Sequence, residues 1–196
     1  MELLGIFSAF GLAASAGLNA YIPLLTVALL AKFTDLIVLA KPWDALESWW
    51  IIGLLSVLVI VEFVSDKVPA VNHVNDAIMT FIRPAAGAIA FAASTSVIKG
   101  ISPVFALAMG LLVAGSVHTV KSVVVRPAVS VATASAGNVP VSMAEDAVAT
   151  VTSVLAVVVP VFIACALVLF TAWIIWFFWR RSNQAAAAAD DEEKRD

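Results

Sequence analysis

Two long runs without a charged side chain constrain the fold of this chain more than any other feature. The first covers residues 3–31 and the second covers residues 147–179. At 1.5 Å per residue, single helices of these lengths would be about 43 Å and about 50 Å long, whereas the hydrocarbon core of a bilayer is about 30 Å thick. Each run therefore has the character of a membrane segment that must tilt, protrude or break.

The composition of the whole chain indicates the same class of protein. Of its 196 residues, 62% are hydrophobic and 13% are charged, compared with roughly 25% charged residues in an average soluble domain. We predict an all-α, polytopic integral membrane bundle of about five spans, with broken or re-entrant segments. Residues 1–181 would form the transmembrane helical domain and residues 182–196 a disordered, charged C-terminal tail.

Charge and cysteine content restrict the partners. The last seven residues hold five acids and two bases, and acids and bases balance in the rest of the chain. Without a basic face, the chain is not expected to bind nucleic acid. The single cysteine, Cys165, lies in an apolar run and can form no intramolecular disulfide.

Both long runs contain a proline that favours a break. Pro23 has no N–H group, and its ring clashes with the carbonyl of Asn19 if the helix continues. Interrupted helices of this kind line ion and substrate sites in transporters. A simple proline kink, satisfied by a neighbouring helix, is the alternative interpretation. In the second run, Pro160 is expected to divide the helix.

An acidic side chain is expected inside the membrane. Trp49 and Trp50 suit the headgroup level and would start the second helix, which places Glu62 about 18 Å further along its axis. A charge at the membrane centre costs roughly 3 kcal/mol or more unless it is paired or hydrated. We therefore expect Glu62, with the nearby Asp66 and Asp76, to bind a cation or a proton.

Two segments downstream resemble each other. His73 precedes Arg83-Pro84, and His118 precedes Arg126-Pro127. A helix over residues 70–82 is predicted to end before Pro84, a third span to cover residues 84–98, and a fourth to run from Ser102-Pro103 to Val120. If the segments form a parallel internal repeat, Arg83 or Arg126 could neutralise Glu62 or Asp66. Two independent helices ended by proline are the alternative.

These patterns define a candidate site for an ion or a small polar solute. The histidines would relay or gate, and the basic residues would set the charge balance. The predicted site consists of Asn19, Glu62, Asp66, His73, Asp76, Arg83, His118, Lys121 and Arg126. A separate segment matches a capping box, which predicts Ser142, Glu145 and Asp146 as structural residues at a helix start.

A purely structural role of these charges is an equally open interpretation, and other chemistries have weaker signals. Buried ion pairs that only fix helix register would use the same residues. A metal site would have oxygen and nitrogen ligands, but no HExxH spacing is present. No G-x-S-x-G motif or Gly-rich phosphate loop occurs, so an enzyme is the less favoured interpretation and no cofactor is indicated.

Basic residues and small residues bear on topology and assembly. With a cytoplasmic C-terminus, seven basic residues lie inside and four outside, which gives modest support for that orientation. The inside set is Lys32, Lys41, Lys99, Arg180, Arg181, Lys194 and Arg195, and the outside set is Lys67, Arg83, Lys121 and Arg126. Stretches rich in Gly and Ala suit tight packing or a homo-oligomer.

Several of these segments resemble a family of small bacterial membrane proteins catalogued only as a domain of unknown function. The resemblance covers most of residues 3–180. It rests on residues 17–24, 62–76 and 81–85, and on Gly137-Asn138 with residues 142–146. It implies a multi-pass protein of the bacterial inner membrane whose polar motifs belong together, and it supplies no activity.

The functional prediction therefore comes from the residues. We expect transport or permeation of an ion or small polar solute through the buried Glu/Asp/His/Arg cluster. The alternative is a non-transporting scaffold or accessory subunit that binds lipid or a partner protein.

Overall fold

All regular structure that the computed structural model describes is helical. Residues 2–67, 69–96, 98–133, 137–159, 166, 168–177 and 179–180 are described, without the side chains of residues 2–4, 69–74 and 76. The chain forms two compact units, Met1–Ile163 and Ala164–Asp196. The first unit contains α1 (Glu2–Leu18), α2 (Tyr21–Phe33), α3 (Trp49–Ser65), α4 (Pro69–Ser94), α5 (Pro103–Val120), α6 (Arg126–Thr133) and α7 (Asn138–Val158).

The first apolar run is two helices. α1 ends at Leu18 and α2 begins at Tyr21, so the chain leaves helical geometry at Asn19. The predicted break is confirmed, and the simple proline kink is not what forms. Pro23 lies in the first turn of α2, where its missing N–H costs no helical hydrogen bond.

α3 begins at Trp49, as the tryptophan pair predicted. It runs antiparallel to α2, because the rings of Phe33 and Trp49 lie 5.8 Å apart at one end and Ala20 contacts Glu62 at the other. The connection contains a short 3-10 helix, Trp43–Glu47. In the same connection the Ala40 N–H donates to Ser96 Oγ over 3.0 Å, so this loop and the turn after α4 lie at the same end of the bundle.

α4 corrects one prediction. Arg83-Pro84 does not end a helix, because α4 continues through Pro84 as 26 residues up to Ser94. The Cβ position of Gly115 on α5 lies 3.8 Å from Pro84 Cγ, so a small residue faces the proline ring on the neighbouring helix. Tertiary packing thus outweighs the local preference to stop at proline.

α5 starts as predicted. Ser102 accepts a hydrogen bond from the Phe105 N–H at 3.1 Å, and Pro103 occupies the first turn. The helix then continues through a π-helical turn, Lys121–Val125, into α6, and the helical segment Pro103–Thr133 contains 31 residues. α7 ends at Val158, in line with the predicted division, although Pro160 itself lies outside the described residues.

Small residues bring α1, α4 and α5 together. A Cβ atom on Gly110 would lie 2.7 Å from Ala88 Cα, and one on Gly17 would lie 2.6 Å from the Ala114 carbonyl oxygen. Phe10 and Phe91 pack edge to face with ring centroids 5.1 Å apart. The close approach predicted for the Gly/Ala stretches is confirmed within this bundle.

Three described helical segments are long and apolar enough to cross a membrane, namely Ala77–Ser94, Pro103–Thr133 and Asn138–Val158. Shorter apolar helices are Gly5–Leu18, Tyr21–Phe33, Trp49–Ser65 and Val168–Phe177. These helices are consistent with a membrane protein. The count of five spans and the internal repeat remain predictions.

The second unit is described by its helix Val168–Phe177, here α8. Trp173 stacks on Phe177 with centroids 5.7 Å apart, and the Arg180 guanidinium lies 5.2 Å from the Trp176 ring. This aromatic and basic edge suits a membrane interface. Arg181 and the tail from residue 182 lie outside the described residues.

Candidate functional site

The centre of the candidate site is a buried ion pair beside the break between α1 and α2. Glu62 on α3 and Arg83 on α4 are both 0% exposed. Arg83 donates to Glu62 Oε1 from Nε over 3.1 Å and from Nη2 over 3.0 Å. The Ala20 N–H donates to Oε2 over 3.0 Å. Removing two charges from water costs free energy. Their mutual attraction offsets that cost only if the geometry is good and further hydrogen bonds are made.

Asn19 closes the exposed start of α2. Its Oδ1 accepts hydrogen bonds from the Tyr21 N–H at 3.2 Å and the Ile22 N–H at 3.1 Å. With Ala20 bonded to Glu62 and Pro23 lacking an N–H, the first turn of α2 has a partner for each backbone donor. The Asn19 side chain therefore caps the start of α2, and its place in an ion or solute site stays a prediction.

The two ends of the broken helix meet charges of opposite sign. The start of α2, where the helix dipole is positive, faces the Glu62 carboxylate. The end of α1, where the dipole is negative, faces Lys121, whose Nζ donates to the Leu18 carbonyl over 2.8 Å. Both charges thus stabilise the break electrostatically.

Asp66 collects three cations. Its Oδ2 lies 3.2 Å from Arg83 Nη2, 3.0 Å from Arg126 Nη2 and 3.8 Å from Lys121 Nζ. Its Oδ1 accepts a hydrogen bond from Asn75 Nδ2 at 2.7 Å. The predicted neutralisation of Glu62 and Asp66 by Arg83 and Arg126 is present in these contacts.

His118 on α5 joins the cluster through contacts with Arg83 and Thr80. Arg83 Nη1 lies 3.2 Å from His118 Nδ1, and since a guanidinium only donates, Nδ1 must accept. The ring proton then lies on Nε2, which is 3.2 Å from Thr80 Oγ1. The sequence placed His118 in the site, and this contact supplies its partner.

Glu145 on α7 connects to the π-helical turn. Its Oε2 lies 2.8 Å from Lys121 Nζ and 3.6 Å from Arg126 Nη2. π-helical turns are rare and often mark functional sites. Here the turn places the buried Lys121 and the following Arg126 toward the same acidic side chains.

The predicted cap at Ser142 is wrong. α7 begins at Asn138 after Gly137, so Ser142 lies inside the helix and caps nothing. Its hydroxyl is buried and has no hydrogen-bond partner among the described residues. Glu145 and Asp146, predicted as first-turn acids, belong instead to the ion-pair cluster.

Asp146 forms a second branch that leads toward the surface. Asn19 Nδ2 donates to its Oδ1 over 3.0 Å, and Lys67 Nζ lies 2.9 Å from its Oδ2. The side chains of Lys67 and Asp146 are 16% and 11% exposed. This branch therefore links the helix break to partly exposed groups.

Two predicted site residues lie outside the part of the chain whose side chains are described. His73 and Asp76 belong to α4, and only their backbone is described. Arg83 and Lys121 were counted as charges on the outer side, but both are buried in the bundle. They therefore do not count toward the positive-inside balance.

Some residues of the site were not predicted. Asn75 lies eight positions before Arg83, or two steps of four along one helix face, so this spacing is a signal that could have indicated it. The contacts of Asp146 with Lys67 and with Asn19 join segments that are distant in sequence. No local pattern predicts such contacts. Ser15 and Ser153 are fully buried and share a hydrogen bond of 2.7 Å between α1 and α7.

The charges of the described cluster balance. Its acids are Glu62, Asp66, Glu145 and Asp146, and its bases are Lys67, Arg83, Lys121 and Arg126. Within the described residues, no group of three or more His, Cys, Asp or Glu side chains is placed to hold a metal ion. The arrangement is thus a closed network of paired charges around a broken helix.

Comparison with known proteins adds a family. No curated protein and no solved structure matches the chain. A family model described as "Domain of unknown function (DUF4126)" matches residues 6–180, which include the helix break and every charged residue of the cluster. The chain therefore belongs to the family of the domain of unknown function DUF4126.

Proposed function

We propose that this protein transports or conducts an ion or a small polar solute, and that the Glu62–Arg83 pair is the closed position of its pathway. One observation carries the proposal: two oppositely charged side chains with no exposure meet at the unwound junction of α1 and α2. Ionisable groups are rare inside membrane segments, and where they occur they commonly mark the path of an ion or a solute.

Two polar branches support a pathway. One runs from Glu62 and Arg83 through Asp66 to Arg126, whose side chain is 12% exposed. The other runs from Asn19 through Asp146 to Lys67. Each branch offers successive hydrogen-bonding groups through otherwise apolar helices, as a proton or a partly hydrated solute requires.

The pathway opens when Glu62 and Arg83 separate. A proton on Glu62 removes one of the two carboxylates that hold Arg83, and Asp66 remains within 3.2 Å as its counter-ion. The same proton weakens the contact between Glu62 and the start of α2, since that contact depends on the negative charge. We expect the break between α1 and α2 to be the moving part.

The test is flux through vesicles that contain the purified full-length chain. Wild type should move protons, an alkali cation or a small polar solute from a broad panel. Glu62→Gln keeps the shape of the side chain but can neither bind nor release a proton, so it cannot alternate between the paired and the separated state. It should lower that flux by at least about tenfold, or about 1.4 kcal/mol on the barrier.

Asp44→Asn is the matched control, because Asp44 is an exposed acid in the 3-10 helix far from the cluster in sequence. Its flux should equal that of wild type. A wild-type protein that is silent across the panel, or Glu62→Gln vesicles that are as active as wild type, would refute the transport proposal.

A scaffold or accessory role is the second candidate, and the balance of charges in the described cluster favours it. Every acid of that cluster has a basic partner within 3.0 Å. In that case Glu62→Gln should lower folded yield and helix assembly, while no solute moves through either protein.

Location and assembly complete the proposal. The apolar helices support a location in a membrane, and we propose the bacterial inner membrane. The count of basic residues supports a C-terminus on the cytoplasmic side. Large apolar side chains such as Trp50, Ile60 and Val123 are exposed on α3 and on the π-helical turn. Such faces suit lipid or a second copy of the chain, so we propose a homo-oligomer.

A further inference from the structure

The π-helical turn between α5 and α6 decides the direction of two basic side chains. Lys121 begins the turn, and Arg126 follows it five positions later. In a regular α-helix, residues five positions apart point about 140° away from each other around the axis. Here the Arg126 N–H donates to the Lys121 carbonyl. Because this bond closes a wider turn, it brings the two side chains nearly into line.

Both side chains reach the same two carboxylates. Lys121 Nζ lies 2.8 Å from Glu145 Oε2 and 3.8 Å from Asp66 Oδ2. Arg126 Nη2 lies 3.6 Å and 3.0 Å from the same two atoms. In an α-helix a spacing of four would place two side chains on one face. The turn therefore contains one residue more than this arrangement of charges requires.

The helix before the turn is held firmly. A Cβ atom on Gly17 of α1 would lie 2.6 Å from Val117 Cβ on α5, so these two helices are in close contact. Lys121 Nζ also donates to the Leu18 carbonyl over 2.8 Å at the end of α1. A rotation of α5 would break this close packing of small residues.

The helix after the turn is held much less. None of the eight residues of α6, all of them described, is buried. Ser130 Oγ donates to Asn138 Oδ1 over 3.0 Å where α6 meets the start of α7. At its other end, the ion pairs of Arg126 join α6 to the cluster. A change of geometry in the turn would thus move α6 and leave α5 in place.

We propose that the π-helical turn is a movable joint that carries Arg126 on and off Asp66. Its conversion to α-helical geometry would rotate α6 by about 100° and shift it by about 1.5 Å, which is the step of one residue. Lys121 would keep its contacts, whereas Arg126 would leave the carboxylates. This inference rests on the proposed transport, because Arg126 ends the polar branch that starts at Glu62. Its departure would open that end of the pathway.

Deletion of Val124 tests the joint. It leaves Lys121 and Arg126 four positions apart, so a regular α-helix presents both to the same carboxylates. The variant should melt at or above the wild-type temperature, since Val124 is exposed and the ion pairs remain. Deletion of Leu112 is the matched control, because Leu112 is equally exposed in the regular part of α5. It turns the rest of α5 away from its glycine contacts and should lower the melting temperature by at least about 10 °C.

Hydrogen exchange of the full-length protein in lipid nanodiscs measures the motion. Wild-type amides of residues 122–130 should exchange at least about tenfold faster than the same amides after deletion of Val124, because only the wild-type turn can change its geometry. Residues 106–118 should exchange equally in both proteins. In the vesicle assay the same deletion should lower flux at least about tenfold, because Arg126 can no longer leave Asp66.

Each outcome decides a separate part of the inference. Equal exchange of residues 122–130 in the two proteins would overturn the joint. A loss of stability as large as that caused by deletion of Leu112 would do the same, because the extra residue would then be needed for the fold. Unchanged flux in a stable variant would exclude the joint from the pathway. A silent wild type would refute transport, and exchange would still decide whether the turn moves.

Discussion

At the scale of single residues, the Glu62–Arg83 pair is expected to affect both the stability and the function of the protein. Both side chains are removed from water, and the charges of the cluster balance only while both are present. Loss of one partner leaves an uncompensated charge, which costs about 3–5 kcal/mol in buried pairs, whereas loss of both is often nearly neutral. This difference between single and double substitutions can separate a structural role of the pair from a functional one.

A double-mutant cycle uses that asymmetry. Glu62→Gln and Arg83→Gln should each lower the free energy of unfolding by about 3–5 kcal/mol. The double variant should recover at least about half of the single loss, because no unpaired charge from this pair remains. Reversible unfolding in detergent would measure the three values, with Asp44→Asn as control. Strictly additive losses would contradict coupling between the two residues.

The double variant also distinguishes the two proposed roles. If the pair only holds the bundle together, a stable double variant should function as wild type. If the pair is the moving part of a pathway, the double variant should be stable and inactive in the vesicle assay. Activity in the stable double variant would remove Glu62 from the pathway.

His118 provides a second prediction at this scale. Its Nδ1 accepts from Arg83, and Asn offers an acceptor at a similar position whereas Leu does not. His118→Leu should cost about 1–3 kcal/mol through the unsatisfied guanidinium donor. His118→Asn should cost less than half as much. The same unfolding measurement applies, and equal losses would show that the Arg83 contact does not stabilise the fold.

At the scale of helices, the crossing of α4 and α5 depends on glycine. Gly110 has no room for a methyl group, because its Cβ would lie 2.7 Å from both Ala88 Cα and Phe91 Cβ. Gly53 on α3 has no atom within 4 Å of the same position. Close helix packing therefore requires glycine at position 110, whereas no neighbouring atom excludes a methyl group at position 53.

Substitution by alanine should show this difference. Gly110→Ala should lower stability by about 1–3 kcal/mol through overpacking. Gly53→Ala should raise it by about 0.5–1 kcal/mol, because glycine weakens a helix interior. Thermal unfolding of both variants in the same detergent is the measurement. A neutral Gly110→Ala would mean that α4 and α5 lie further apart than described.

The elements also show what a sequence can predict. The start of α3 at Trp49, the cap at Ser102 and the break near Pro23 follow from local chemistry that lies within a few residues. The continuation of α4 through Pro84 does not, since it depends on a small residue of another helix. The π-helical turn and the start of α7 at Asn138 were also not predicted, because nothing in their local sequence requires them.

The site follows the same division. Charged residues in apolar segments can be recognised in a sequence. The sequence therefore predicts one cluster that contains Glu62, Asp66, Arg83 and Arg126. Glu145, which lies near Arg126, and Asp146, which pairs with Lys67, come from α7, whose position relative to the other helices no spacing fixes. The role of Asn19 as a cap also requires the geometry of the break.

At the scale of the whole molecule, one helical segment is long enough to cross a membrane completely. The helical segment Pro103–Thr133 contains 31 residues, or about 46 Å, which exceeds the hydrocarbon thickness by about 16 Å. Lys99 lies just before its start and Val131 near its end. The two positions should therefore face opposite sides of the membrane.

Cysteine labelling in cells tests this arrangement. In a Cys165→Ala background, an impermeant maleimide added outside should label Val131→Cys directly. Lys99→Cys should react only after the membrane is opened, because the basic loops are expected on the cytoplasmic side. Labelling of both positions from one side would contradict a crossing by this helix. The reverse pattern would invert the proposed orientation.

The pairing of Glu62 with Arg83 has a consequence for the response to membrane voltage. Together the two side chains carry no net charge, so an electric field pulls them with equal and opposite forces and does no work on the pair as a unit. A difference of 100 mV supplies about 2.3 kcal/mol for each elementary charge that crosses. That energy becomes available only when one charge moves away from the other, so voltage would act on the separation of the pair and would leave the intact pair in place.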